Sequence, residues 1–371
     1  MKQSAIVVPK LFWLALCWIG TQLFLLQLIP ASCARWLALG CATMGCFALI
    51  VKIKGNAARQ LRLLLLFASL GGLSASRGLE SPHPIKWPDW QTQFATRLHQ
   101  RLQQQAFDDT ECGLLVALIC GDKQWLEKQT KRQFQHSGVA HLLALSGLHI
   151  GLLFQLLKRL FFFLPGQGGA MAHWRGAASL ILLWFYAACT GLSPSILRAV
   201  IMCTLYEIGH WKETPSNGLQ ALSVSAILIA LGNPLAPSQL SFQLSFLAML
   251  GIFFIHPILS NITRQTSDET TQNALQRRLK QGSRMIWSSI SITLSCQIAT
   301  LPLVLARFHS FPLSFQLANL LTAPLTAWII QILPVCLLGN RLWPGTELFH
   351  NLIGIPLTWL LKIVSIIPRF S

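Results

Sequence analysis

Acidic residues are scarce in this sequence. Twelve Asp and Glu stand against 29 Lys and Arg, and charged residues make up only 11% of the chain while 53% is hydrophobic. So little charge, with a mean hydropathy of +0.52, excludes an ordinary soluble globular domain and indicates a polytopic membrane protein. Of the acidic residues only Glu207 and Glu347 fall in apolar runs, so the carboxylate chains of a proton- or cation-coupled transporter are missing. A GxxxxGK[ST] phosphate loop is absent too, which leaves any ATP-driven work to another protein. No HxHxDH-type cluster or other metal-ligand set occurs. The ten cysteines show no CxxC pairing and read as small hydrophobic packing residues. The expectation is a chain with no catalytic residue, no cofactor and no metal.

What is present is apolar length. Runs suited to crossing about 30 Å of hydrocarbon as helices lie at 11–29, 35–51, 61–79, 139–157, 174–190, 194–210, 216–232, 239–259, 284–305, 313–337 and 347–367. The predicted fold is therefore all-α, a transmembrane helical bundle of about eleven spans in membrane lipid. With the N-terminus cytoplasmic, one set of short loops collects Lys2, Lys10, Lys52, Lys54, Arg59, Arg62, Lys158, Arg159, Arg175, Lys212, Arg264, Arg277, Arg278, Lys280, Arg284 and Arg341. The opposite set collects only Arg35, Arg307, Lys362 and Arg369. That asymmetry predicts N-in, C-out orientation. It also places 80–138 on the outer face, because Leu114 to Cys120 is too short to cross and a crossing there would turn every later basic loop outward.

Three parts follow: spans over 1–79, an outer-face connector over 80–138, and a larger membrane bundle over 139–371. The connector opens with Ser81-Pro82-His83-Pro84, a turn region, and continues into a Gln-rich helical segment. Its last part, Gly121 to Gly138, mixes Trp125, Leu126 and Phe134 with Lys123, Lys128, Lys131 and Arg132. This reads as an interfacial amphipathic or re-entrant helix, either anchored at headgroups or offering a basic landing surface to an anion.

Polar groups inside apolar runs mark candidate function, because they are costly in lipid. Residues 141 to 153 carry His141, Ser146, Gly147, His149 and Gly151. Gly147 and Gly151, four apart, permit close backbone approach on one helix face. Ser146 and His149, three apart, are placed for a serine and its base or for interhelical hydrogen bonding. Arg198 comes early in a span with no carboxylate three or four residues away, and its guanidinium fork suits phosphate. Gln239 and Gln243 share a face, as do Ser241 and Ser245; Gln297, Thr300, Gln316, Asn319, Thr322 and Thr326 continue the series. Their accumulation suggests a hydrated path, and prolines such as Pro302, Pro324 and Pro334 suggest kinked or broken helices lining it. A cationic and neutral-polar interior favours an anion.

Several ordered motifs resemble the ComEC family of bacterial competence proteins: Gly121-Asp122 with Phe134 and Gly138, His141-Leu-Leu-Ala-Leu-Ser-Gly-Leu-His-Ile150, Thr190-Gly-Leu-Ser-Pro-Ser-Ile-Leu-Arg-Ala199, Asn233-Pro234, Leu240-Ser-Phe-Gln-Leu-Ser-Phe246 with Gly251, and Phe308 to Pro324 containing Asn319. The resemblance covers roughly residues 100 to 340. It implies an inner-membrane channel that passes single-stranded DNA into the cytoplasm during natural transformation. By that resemblance His141, Ser146, Gly147, His149, Gly151, Arg198, Gln243, Ser245, Gln297 and Asn319 line or gate the path, and Lys123, Lys128, Lys131 and Arg132 meet DNA outside. Family members often carry an OB-like outer domain and a metallo-β-lactamase-like C-terminal domain, and neither is evident here. The implied partners are thus a DNA receptor, a separate nuclease and a cytoplasmic ATP-driven helicase, with a homo-oligomer left open. Two other readings compete: an intramembrane serine hydrolase using Ser146 and His149, and a phospholipid or polyprenyl-phosphate flippase holding its headgroup on Arg198.

Overall fold

A computed structural model describes residues 9–50, 56–80, 90–105, 107–143, 145–163, 169–214, 217–262, 274–308, 315–342 and 347–366. The turn region at 81–84 lies outside them. Among the described residues the chain is helical, without a strand. The helices are α1 (Lys10–Leu28), α2 (Ala34–Ile50), α3 (Asn56–Glu80), α4 (Trp90–Gln103), α5 (Asp109–Cys120), α6 (Lys128–His136), α7 (Gly147–Phe162), α8 (Gly169–Cys189), α9 (Pro194–Trp211), α10 (Gly218–Gly232), α11 (Leu240–Phe254), α12 (His256–Ile262), α13 (Ala274–Phe308), α14 (Phe315–Leu342) and α15 (Glu347–Ile366). Short 3-10 turns cover Ala31–Cys33, Val139–Leu143 and Ala236–Ser238.

The expected count of about eleven spans is not confirmed among the described residues. Each apolar run does overlap a helix, yet the described helices long and apolar enough to cross a membrane are four: Lys10–Leu28, Leu240–Asn261, Trp287–Arg307 and Ala318–Leu337. Charge sets α3 apart, and length sets α7 and α10 apart. α3 has Arg62 and Arg77 along it, and α10 has only 15 residues. The predicted span over 139–157 begins as a 3-10 turn, and α7 starts only at Gly147. With 16 residues α7 is about 24 Å long at 1.5 Å per residue, short of the hydrocarbon thickness.

The chain divides into two compact units, one of Met1–Trp87 with Ser193–Phe246, the other of Pro88–Leu192 with Leu247–Ser371. In the first, α3 packs against α1 and α2, and α10 against α1 and α9. The helix-terminal carbonyls of α10 have no partner within the helix, and side chains supply them from across the packing. Ser74 on α3 donates to the Ala230 carbonyl at 3.1 Å. Gln22, fully buried on α1, donates to the Pro234 carbonyl just beyond the helix at 2.5 Å.

The second unit is built around α5. Cys112 through Cys120 are all buried, and a helix apolar on every face is stable only where every face is packed. Leu98 and Leu102 of α4, Ile329 and Leu333 of α14, and Leu357, Leu360 and Val364 of α15 join it in one cluster. Each leucine buried there contributes roughly 2 kcal/mol. A capping box starts α5, with the Asp108 N–H donating to Glu111 Oε2 at 3.3 Å. Gly121 ends it at φ 71°, a left-handed conformation that favours glycine. Gly113 lies against the Trp125 carbonyl so closely that a Cβ would collide with it.

Proline does not break the later helices. α13 continues through Pro302, α14 through Pro324 and Pro334, and α15 through Pro356. A helical proline frees the carbonyl four residues before it. For Pro356 that is Leu352, and Trp328 Nε1 on α14 donates to the Leu352 carbonyl at 3.2 Å. The freed acceptor is thus satisfied by the neighbouring helix.

Candidate functional site

Ser146 and His149 sit at the start of α7, in the second unit. Ser146 is the N-cap, extended at φ −106° and ψ 164°, and does not share a helix face with His149 as the spacing suggested. Its backbone N–H donates to His149 Nδ1 at 3.0 Å, the histidine taking the place of the glutamate or glutamine of a capping box. Nδ1 therefore accepts from backbone, and the ring proton resides on Nε2. His149 is 1% exposed. The pair works as a helix cap, so the geometry gives no support to a serine nucleophile activated by this imidazole. Gly151 also departs from expectation: among the described residues a Cβ there would meet nothing within 4 Å, so no described backbone approaches it. Close approach occurs instead at Gly251, against the Ser295 carbonyl of α13.

Across from this cap runs a chain of neutral polar groups. His141, in the 3-10 turn that packs on α14, has the Asn319 side chain and the Gly138 backbone in hydrogen-bonding reach. Asn319 Nδ2 donates to Thr293 Oγ1 on α13 at 3.2 Å, and Thr293 Oγ1 donates to the Ser289 carbonyl at 2.9 Å. The Asn319 contact favours the protonated imidazole, as expected when the amide oxygen accepts from the ring. The sequence motifs do not mark Thr293. It lies four residues before Gln297 and seven before Thr300, a helical period that could have found it. Gln297 itself is half-buried on α13.

Arg198, on α9 in the first unit, is 6% exposed. Its Nε donates to Ser245 Oγ on α11 at 2.8 Å, Nη1 lies 3.8 Å from Met202 Sδ, and the guanidinium sits 6.0 Å from the Phe246 ring centroid. Ser195 Oγ completes the group at 3.2 Å from Ser245 Oγ. The arginine without a nearby carboxylate in sequence thus has a hydroxyl partner 47 residues away. Hydroxyl and ring contacts together fix the orientation of its planar fork. Gln243, one turn before Phe246, donates to the Pro237 carbonyl at 3.0 Å and so ties the start of α11 to its preceding turn.

Other hydroxyls are satisfied inside their own helices. Thr300, Thr322 and Thr326 donate to the carbonyls of Cys296, Ala318 and Thr322, the back-bonding usual for such residues in helices.

The segment Gly121 to Gly138 is not one helix. α6 covers only Lys128–His136, and 121–127 is a turn held by His99 stacked on Trp125 with ring centroids 4.2 Å apart. On α6, Thr130 and Phe134 are buried while Lys128, Lys131 and Arg132 are exposed. Lys123 is half-buried, and burial together with the Lys131 charge lowers its pKa from the ordinary lysine value. All ten cysteines are free thiols. Burial pushes Cys112 up to about 11 and Cys120 to about 12, far from the thiolate a nucleophile needs.

Comparison with known proteins supplies the remaining finding. Residues 118–371 match a family model described as Competence protein. Over 260 residues the chain is 28% identical to ComE operon protein 3 of Bacillus subtilis, covering 68% of this chain and 30% of that protein. It is 25% identical over 235 residues to Recombination protein 2 of Haemophilus influenzae, with 62% and 29% covered. Competence protein ComA of Neisseria gonorrhoeae is 25% identical over 232 residues, with 62% and 30% covered. The chain thus spans under a third of the length of these relatives. No solved structure matches it.

Proposed function

The chain belongs to the competence protein family, and from that premise we propose that it forms the inner-membrane path by which single-stranded DNA passes into the cytoplasm during natural transformation. The observation that carries the reading is Arg198, a buried guanidinium held by Ser245 and the Phe246 ring. A phosphodiester passing such a cation exchanges hydration for charge-assisted contact, and recognition through the backbone is independent of sequence. The His141–Asn319–Thr293 series adds uncharged donors and acceptors that suit a hydrated polyanion. The N-terminus is cytoplasmic and the C-terminus outside in this reading, and the chain is a transporter without chemistry of its own. A receptor, a nuclease and an ATP-driven helicase then work beside it.

The test is transformation in the native host with the chromosomal gene replaced. Arg198→Ala is expected to lower transformant frequency by about 100-fold or more, equivalent to at least about 2.7 kcal/mol at the limiting step, while the amount of protein in the membrane is kept. Arg198→Lys is expected to restore little, because an ammonium lacks the planar fork. Wild-type frequency in Arg198→Ala would overturn the role. Proteoliposomes offered labelled DNA and labelled lipid separate this reading from a flippase.

A further inference from the structure

α6 presents two chemically distinct faces. Thr130 and Phe134, four residues apart, are buried and seat the helix on the core of its unit. Lys128, Arg132 and His136, also four apart, are exposed on another face. Against that face stands the last turn of α15, whose Ser365 hydroxyl is turned onto its own Lys362 carbonyl at 2.8 Å. Lys128, Gln129, Arg132, Gln133, His136 and Ser365 line a groove of about 570 Å³. Among the described residues no carboxylate lines it. Five of the six side chains carry N–H donors, two of them permanently cationic at neutral pH.

We propose that this groove binds consecutive phosphates of single-stranded DNA. The proposal rests on the DNA-path reading and assigns to it a docking site on α6 and α15. The arrangement of the donors selects the occupant. Residues four apart on a helix are separated by about 6 Å along its axis, so Lys128, Arg132 and His136 form a row at a pitch comparable to the phosphate repeat of an extended strand. A lone headgroup phosphate would be gripped best by donors converging on one point. The row suits a polymer with regularly spaced charges, and the glutamines between the cations can serve the sugars or phosphate oxygens. The field of the helix reaches beyond the groove, since the Lys131 charge contributes to the lowered pKa of Lys123 across the turn. Of the four cations predicted to meet DNA, only Lys128 and Arg132 line the groove. His136 and the α15 wall are additions made by the tertiary structure.

The test uses the full chain in nanodiscs of zwitterionic lipid and a short fluorescent oligothymidylate, with affinity followed by anisotropy from about 50 to 200 mM salt. The double variant Lys128→Gln, Arg132→Gln is expected to bind about tenfold more weakly at the low-salt end. Its slope of log affinity against log salt should fall by about 1.4, at about 0.7 for each phosphate of a single strand that is no longer neutralised. The charge-preserving Lys128→Arg, Arg132→Lys should keep both affinity and slope. Because the replaced side chains are exposed, the fold should persist, and an unchanged thermal midpoint checks this. An unchanged slope in the double variant overturns the groove while leaving the DNA-path reading intact. Absence of oligonucleotide binding by the unsubstituted chain overturns both. If the double variant instead loses binding to vesicles containing anionic phosphatidylglycerol and keeps oligonucleotide binding, the groove serves lipid headgroups and the proposal falls.

Discussion

Arg198 and Arg132 carry the same guanidinium into opposite surroundings. Arg198 is buried, with Ser245, Met202 and Phe246 around it; Arg132 stands exposed in a row along α6. Burial makes a charge expensive and its contacts strong, because little water competes for them. Exposure makes a charge cheap, and its attraction is spread over many phosphates and screened by salt. The buried arginine is therefore expected to act as a single indispensable contact, and the exposed row as a graded, salt-sensitive one. In the proposed DNA path the exposed row gathers the strand and the buried arginine contacts its phosphates.

The largest expected effect tests the buried side. Arg198→Ala should lower transformation about 100-fold or more, about 2.7 kcal/mol, whereas Arg132→Gln should lower it only a few-fold. Equal reductions, measured as transformant frequency per cell, would break the contrast. Next comes the link from core to surface in the second unit. Gly113→Val places side-chain atoms where the Trp125 carbonyl stands, so it should cost about 2 kcal/mol or more and lower the thermal midpoint in detergent. If oligonucleotide affinity also falls, the exposed row depends on how α5 seats the turn before α6.

A middle tier concerns neutral partners of polar side chains and caps. Ser245→Ala leaves the Arg198 Nε–H without its acceptor and should cost about 1 to 3 kcal/mol, read as a lower thermal midpoint. Removing the Leu352 partner by Trp328→Phe should cost about 1 kcal/mol. At the α7 cap, His149→Ala should cost about 1 kcal/mol, while His149→Gln restores a standard capping box and should stay within about 0.5 kcal/mol of the parent. Fluorophosphonate labelling at Ser146 would refute the cap as the whole role of the pair.

The smallest expected effect lies at the exposed end. Lys123 titrates below the ordinary lysine value, because burial and the Lys131 charge disfavour its protonated form. A lysine lowered in this way penalises the fold in full below its folded pKa, and the penalty falls as pH rises between that value and the ordinary lysine value, above which it is gone. Lys131→Gln removes one of the two causes, so Lys123 should titrate closer to the ordinary value. The pH profile of amine acylation at Lys123, read by mass spectrometry, checks the direction.

Local rules made much of this legible. Low charge and long apolar runs gave an all-helical chain. The alternation of Phe134 with cationic neighbours marked the amphipathic character of α6, and the shortness of Leu114 to Cys120 kept α5 from being taken as a span. Periodicity failed where backbone conformation intervened. Residues 139 to 157 look like one apolar helix, yet the extended Ser146 delays α7, and that changes which groups Ser146 and His149 can offer. It failed again at Gly121 to Gly138, where His99 from α4 holds a turn that helical spacing treats as helix.

Sequence by itself determined the material of the protein: helices, an apolar interior poor in carboxylates, a basic short helix, and an arginine that had to be accounted for. Those features follow from residue type and from spacings within one element, which the chain order displays directly. Only the tertiary structure decided the partners. Ser245 reaches Arg198 across 47 residues, Asn319 reaches Thr293 across 26, and Ser365 closes the groove beside α6. A buried polar group is satisfied by whichever helix packing brings near it, and helix packing is set by surface shape over whole elements rather than by the residues beside the group in sequence.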